Sequence, residues 1–262
     1  MGQRMAKVGF AIACVLAVVT AAPVASAQPA QQVQPAPLPE PMAVEIEVPA
    51  FDGLPAVTMA GELYLPAGAG PFPVVIYSHG RASKPAERSA LKYPIPRGHA
   101  GYWMRKGFAV VAPVRPGYGA TGGPDRERSG TRLEKDGSCG GAVRLAAATE
   151  ASTTAVRAAI DWARAQPWAD RERILLVGQS VGGLATVATA AKTPPGVVGF
   201  VNFAGGAAGF PKERPGASCG EAALTELYRR AGRGVRVPNI WLYAENDRFW
   251  GAEAPRAWHA AF

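Results

Sequence analysis

Short apolar runs alternate along this chain with stretches of helical spacing. The clearest run is Ile174-Leu175-Leu176-Val177, which stops abruptly at Gly178 and is followed by a small-residue stretch that predicts a helix. Ala43 to Val48 and Val57 to Leu65 predict an antiparallel opening pair around Asp52-Gly53. Phe72 to Tyr77 predicts a third strand, leading into Ser78-His79-Gly80-Arg81. A helix should end over Tyr102 to Lys106, closed by Gly107, with Phe108 to Val114 as the next strand. From Ala146 to Ala165 the pattern is helical: Val156, Ala159, Ile160 and Ala163 share one face, and Arg157, Asp161 and Arg164 another. Val197 to Phe203 then predicts a strand, Glu221 to Ala231 a helix, Asn239 to Ala244 a strand, and Ala252 to Phe262 a last helix. This alternation predicts an α/β protein, with a mostly parallel sheet covered by helices on both faces. Chemistry in such sheets sits beyond the carboxyl ends of the strands, where Ser78–Arg81, Gln179–Val181 and Glu245–Asp247 fall.

Gly178-Gln179-Ser180-Val181-Gly182 therefore reads as strand, sharp turn and helix, with Ser180 on the turn. A serine there exposes its hydroxyl at the strand end, as a nucleophile requires. Serine is also a good helix N-cap, which is the competing role.

The N-terminus changes the picture of where the fold starts. Arg4 and Lys7 precede an apolar run from Val8 to Val19, and Ala25-Ser26-Ala27 offers a cleavage site, so residues 1–27 read as a secretory signal peptide. An uncleaved anchor is the alternative; after removal, no stable membrane insertion is expected. Residues 28–42 are a Pro/Gln/Ala-rich tether, expected to be disordered, and the folded domain is placed at 43–262. Of three cysteines, Cys14 leaves with the signal. Cys139 and Cys219 remain, and in a secreted or periplasmic protein such a pair predicts one disulfide; two free thiols are the alternative.

The chain has 262 residues, 48% apolar content and a formal net charge of +8. Its basic residues are scattered rather than clustered, which gives a nucleic-acid surface no support. No zinc-type Cys/His spacing and no phosphate-cradling loop occurs, so neither a metal nor a cofactor is expected.

The segments F-P-V-V-I-Y-S-H-G-R, R-P-G-Y-G, G-Q-S-V-G-G, N-F-A-G-G and L-Y-A-E-N-D resemble the α/β-hydrolase superfamily, in its dienelactone-hydrolase-like and prolyl-oligopeptidase-like branch. The resemblance implies a serine hydrolase acting on a small acyl substrate by a Ser-His-Asp mechanism. Dienelactone hydrolases proper use a cysteine nucleophile, so Ser180 points to a general serine esterase instead. The oxyanion donors would be the N–H groups of Val181 and Arg81. The Arg81 side chain itself reads as a surface arginine rather than an anion contact. Asp247 is the expected acid, Glu245 its rival, and a helix cap its competing role. His79 precedes the nucleophile and reads as a loop-shaping residue. Only His259 follows Asp247, and it lies in a helical stretch about 12 Å from the strand ends at 1.5 Å per residue. The fold is thus expected to be truncated before its last strand and helix, with the catalytic histidine missing and this chain nearly inactive. The alternatives are a peptidase of the same fold and a non-catalytic ligand-binding protein; the oligomeric state is left open.

Overall fold

The computed structural model describes residues 38–262; the expected signal peptide, its cleavage site and most of the tether lie outside them. The chain opens with β1 (Met42–Val48) and β2 (Val57–Tyr64), then β3 (Phe72–Ser78), α1 (Pro85–Ser89), α2 (Arg97–Arg105) and β4 (Ala109–Pro113). A short hairpin, β5 (Arg132–Leu133) and β6 (Cys139–Gly140), precedes α3 (Leu145–Arg164). Then come β7 (Ala169–Gln179), α4 (Val181–Ala190), β8 (Val197–Phe203), β9 (Gly209–Phe210), β10 (Arg214–Ser218), α5 (Glu221–Gly234), β11 (Asn239–Leu242) and α6 (Glu253–Ala261).

Seven strands form one sheet in the order β1-β2-β4-β3-β7-β8-β11. β2 runs against both β1 and β4, while every pair from β4 to β11 is parallel. Alternate residues face opposite sides, and the two cores divide accordingly. Val74, Ile76, Val111, Ile174, Leu176 and Phe200 pack with residues of α3, α4, α5 and α6. Val75, Tyr77, Val110, Ala112, Val177 and Val201 pack beside Ala100, Trp103 and Met104 of α2. Helix α3 fits its sequence pattern, since Val156, Ala159, Ile160 and Ala163 are all buried. Helix α4 is buried almost all round, as a central helix bearing a site should be.

Some boundaries differ from expectation, each for a local reason. Order starts before Ala43: the Arg97 guanidinium bonds the carbonyls of Leu38 and Pro39 and pairs with Glu40. β7 begins at Ala169, five residues early, because the exposed polar stretch 170–173 continues the strand past its helical cover. β11 ends at Leu242, where Tyr243 leaves the ladder and its hydroxyl donates to the Gly205 carbonyl. Cys139 and Cys219 are disulfide-bonded across 80 residues, fastening the β5–β6 hairpin to the segment before α5. No helix among the described residues is long and apolar enough to cross a membrane.

Candidate active site

Ser180 stands between the last residue of β7 and the first of α4, at φ 55° and ψ −124°. A non-glycine residue in that region costs about 1–3 kcal/mol, so the surroundings must impose it. They do so from the neighbouring strand: Ser180 N–H donates to the Phe203 carbonyl at 2.9 Å, and Gly206 N–H donates to the Ser180 carbonyl at 3.2 Å. A Cβ at Gly178 would collide with the Gly182 carbonyl and Thr186 Oγ1; one at Gly182 would collide with the carbonyls of Ser78 and His79. Both glycines are therefore required by close approach. Ser180 occupies the N-cap position of α4, yet its side chain makes no capping hydrogen bond. The capping role does not account for it.

The loop after β3 comes up against Ser180, since a Cβ at Gly80 would lie 3.4 Å from Ser180 Cβ. Arg81 follows directly, and Val181 opens α4, whose first-turn N–H groups have no partner within the helix. Both expected oxyanion donors are thus on segments flanking Ser180. The Arg81 guanidinium turns away into an ion pair with Asp125, which Arg88 shares at 3.4 Å.

Asp247 lies past the end of β11, two strands from β7. Its Oδ1 accepts the N–H groups of Phe249 at 2.7 Å and Trp250 at 3.2 Å, which is a capping arrangement. Oδ2 makes no hydrogen bond among the described residues. The rival Glu245 is tied to Arg256 at 2.9 Å.

All three histidines are described, and none is hydrogen-bonded to Ser180. His79 is buried with both ring nitrogens occupied: Nε2 accepts Arg115 N–H at 3.1 Å, and Nδ1 donates to the Gly80 carbonyl at 2.7 Å. Burial, reinforced by the Arg115 charge, pushes its pKa down to about 3. His99 lines a cavity of about 550 Å³ with Tyr77, Trp103, Gln179, Phe203 and Leu242, and burial lowers its pKa. His259 packs on Trp241, ring centroids 5.3 Å apart, in a smaller pocket of about 400 Å³ with Glu245 and Arg256.

Beneath the loop lies a charged pair that sequence reasoning missed. Arg115 is wholly buried and donates to Glu127 through Nε at 2.5 Å and Nη2 at 3.0 Å. Its Nη1 reaches Ser78 Oγ at 2.9 Å and the His79 carbonyl at 2.7 Å. Glu127 also accepts the hydroxyls of Tyr118 at 2.8 Å and Ser152 at 3.0 Å. Burial alone would raise the Glu127 carboxyl, but the Arg115 charge and hydrogen bonds override it and hold it low. The loop after β4 sends Asp125 to the Arg81 guanidinium and Glu127 beneath the loop after β3. A charged residue directly after the apolar run of β4 was the available signal for Arg115. Glu127, set between arginines, offered none. Among the described residues, no group of three or more His, Cys, Asp or Glu side chains could hold a metal ion.

A family model for the X-Pro dipeptidyl-peptidase (S15) family matches residues 52–216, more than half of the chain. The chain belongs to that family. No curated protein matches this S15 member. Among solved structures, an esterase from Pyrococcus furiosus superposes with a TM-score of 0.55 at 14% identity, over 85% of this chain and 76% of that one. The acylaminoacyl peptidase of Pyrococcus horikoshii gives 0.55 at 17%, over 86% and 35%. A 2,6-dihydroxy-pseudo-oxynicotine hydrolase gives 0.51 at 14%, over 84% and 57%. The S15 chain thus spans little more than half of that hydrolase and about a third of that peptidase. At such identities the likeness is one of fold, and the fold is that of the α/β-hydrolases.

Proposed function

We propose that this S15-family chain is a serine hydrolase cleaving an ester or related acyl bond of a small substrate. Ser180 Oγ would attack the carbonyl carbon while an imidazole takes its proton. The carbonyl oxygen becomes an oxyanion between the N–H groups of Val181 and Arg81, each worth about 3 kcal/mol in comparable sites. Collapse expels the alcohol, which receives the proton from the imidazolium, and water repeats the sequence on the acyl-enzyme. Asp247, through Oδ2, would orient the imidazole. Every step is nucleophilic or acid–base, so the reading calls for no cofactor. The observation that carries it is the strained Ser180, held by backbone hydrogen bonds to Phe203 and Gly206 and flanked by two glycines whose Cβ atoms would meet backbone carbonyls.

None of His79, His99 and His259 is hydrogen-bonded to Ser180, so on this reading acylation is slow. Soluble imidazole should accelerate it. The test is labelling of Ser180 with a fluorophosphonate and turnover of a p-nitrophenyl ester, each with and without imidazole and each in Ser180→Ala. Labelling lost in Ser180→Ala and stimulated by imidazole supports the reading; no labelling of Ser180 in any condition favours a non-catalytic ligand-binding protein. Membership of a family described as X-Pro dipeptidyl-peptidases favours a peptidase as the second reading, so an X-Pro p-nitroanilide belongs in the same assay. The disulfide agrees with an oxidising compartment, and we assign the protein to the periplasm or the exterior.

A further inference from the structure

His79 and the buried Arg115–Glu127 pair do no chemistry in the mechanism above, yet their hydrogen bonds converge on a few atoms. Glu127 ties together the loop after β4 through Arg115 and Tyr118, and helix α3 through Ser152. Arg115 passes this anchoring to the loop after β3, through Ser78 Oγ and the His79 carbonyl. Its backbone N–H can only donate, so His79 Nε2 is the acceptor and the ring proton sits on Nδ1. Nδ1 in turn donates to the Gly80 carbonyl. The edge of the His79 ring against Tyr118, 4.6 Å between centroids, holds the ring plane.

The Gly80 carbonyl and the Arg81 N–H belong to one planar trans peptide and point in opposite directions. Fixing the first aims the second. A glycine in an open loop would otherwise let that peptide turn over at little cost. We propose that His79, locked by the Arg115–Glu127 pair, is a positioning residue for the oxyanion hole, holding the Gly80–Arg81 peptide so that Arg81 N–H faces the acyl oxygen on Ser180. This rests on Ser180 being the nucleophile. A purely stabilising role is a poor account of the pair, because a buried ion pair returns little net stability over an apolar replacement. Two of its bonds, from Arg115 Nη1 to Ser78 Oγ and to the His79 carbonyl, also reach directly into the loop that lies against Ser180.

The experiment compares His79→Asn, whose amide N–H can stand where Nδ1 stands, with His79→Phe, which keeps the ring and loses the donor. The rate of Ser180 phosphonylation by a fluorophosphonate, with imidazole present, should fall about 100- to 1,000-fold in His79→Phe, as for loss of one oxyanion donor, and recover most of the way in His79→Asn. A crystal structure of His79→Phe should show the Gly80–Arg81 peptide turned. A folded His79→Phe that reacts like the parent, with the peptide unturned, overturns the proposal. If the parent itself is not labelled at Ser180, the nucleophile reading fails, while the peptide orientation still decides the positioning role. If His79→Phe does not fold, the imidazole nitrogen resonances of the parent decide: a proton on Nε2 overturns the proposal, and one on Nδ1 supports it.

Discussion

Acid should destabilise this protein through His79 well before its carboxylates respond. In the fold the imidazole is 4% exposed, its pKa driven to about 3 by burial and by Arg115, against 6.5 for the unperturbed group. The depressed value means that the unfolded chain binds the proton and the folded one does not. The stability this contributes is fully present above 6.5 and is lost as pH falls towards 3. From about pH 7 to about pH 5 the unfolded imidazole becomes almost fully charged, which amounts to about 2 kcal/mol. That figure depends only on the folded pKa lying well below 5. Glu127 is held below its ordinary 4.5 and adds a loss of the same sign only at lower pH. His99, also lowered by burial, adds to the same window in parent and variant alike. Urea unfolding of the parent and of His79→Asn at the two pH values isolates the His79 share: the parent should lose about 2 kcal/mol more than the variant. Equal losses would refute the buried, neutral imidazole.

Gly182→Ala should press a methyl group into the carbonyls of Ser78 and His79, costing about 1–3 kcal/mol in thermal unfolding and abolishing fluorophosphonate labelling; parental labelling would contradict the elbow geometry. Reducing the Cys139–Cys219 bridge, which closes a loop of 80 residues, should lower unfolding stability by about 4 kcal/mol, and unchanged urea midpoints with and without reductant would count against it. On the outer strand β11, Ile240 is 56% exposed, so Ile240→Lys should leave stability within about 0.5 kcal/mol while slowing aggregation in light scattering. Faster aggregation of the variant would show that the strand is not the sticky edge.

The parallel core of the sheet was legible because each central strand is largely buried on both faces and reads as an apolar run. Val197–Phe203 was recovered to the residue from its mostly apolar run, although Asn202 interrupts it and Val198 is exposed. Where a strand projects beyond its helices, as at Asp170 to Arg173, its residues meet water and its pattern disappears. Ser180 was legible for a different reason: the elbow needs glycine at two fixed offsets, so backbone geometry is written directly into residue type. The Arg115–Glu127 pair has no such signature. Its two halves are twelve positions apart, and the burial that makes the pair matter comes from β3, β4 and α3 closing over it. In sequence, Glu127 is one acid among the cations Arg126 and Arg128, indistinguishable from a solvated surface charge. His79 shows the same limit from the other side. Chain order alone already argued against it as the base, but its task follows only from which nitrogen carries the proton, and that is set by the backbone N–H of Arg115, thirty-six positions away. The proposed nucleophile is thus marked by local sequence, whereas the group proposed to aim the oxyanion donor depends on long-range contacts; on that proposal, substitutions at Arg115 or Glu127 should weaken Ser180 reactivity although neither residue is hydrogen-bonded to it.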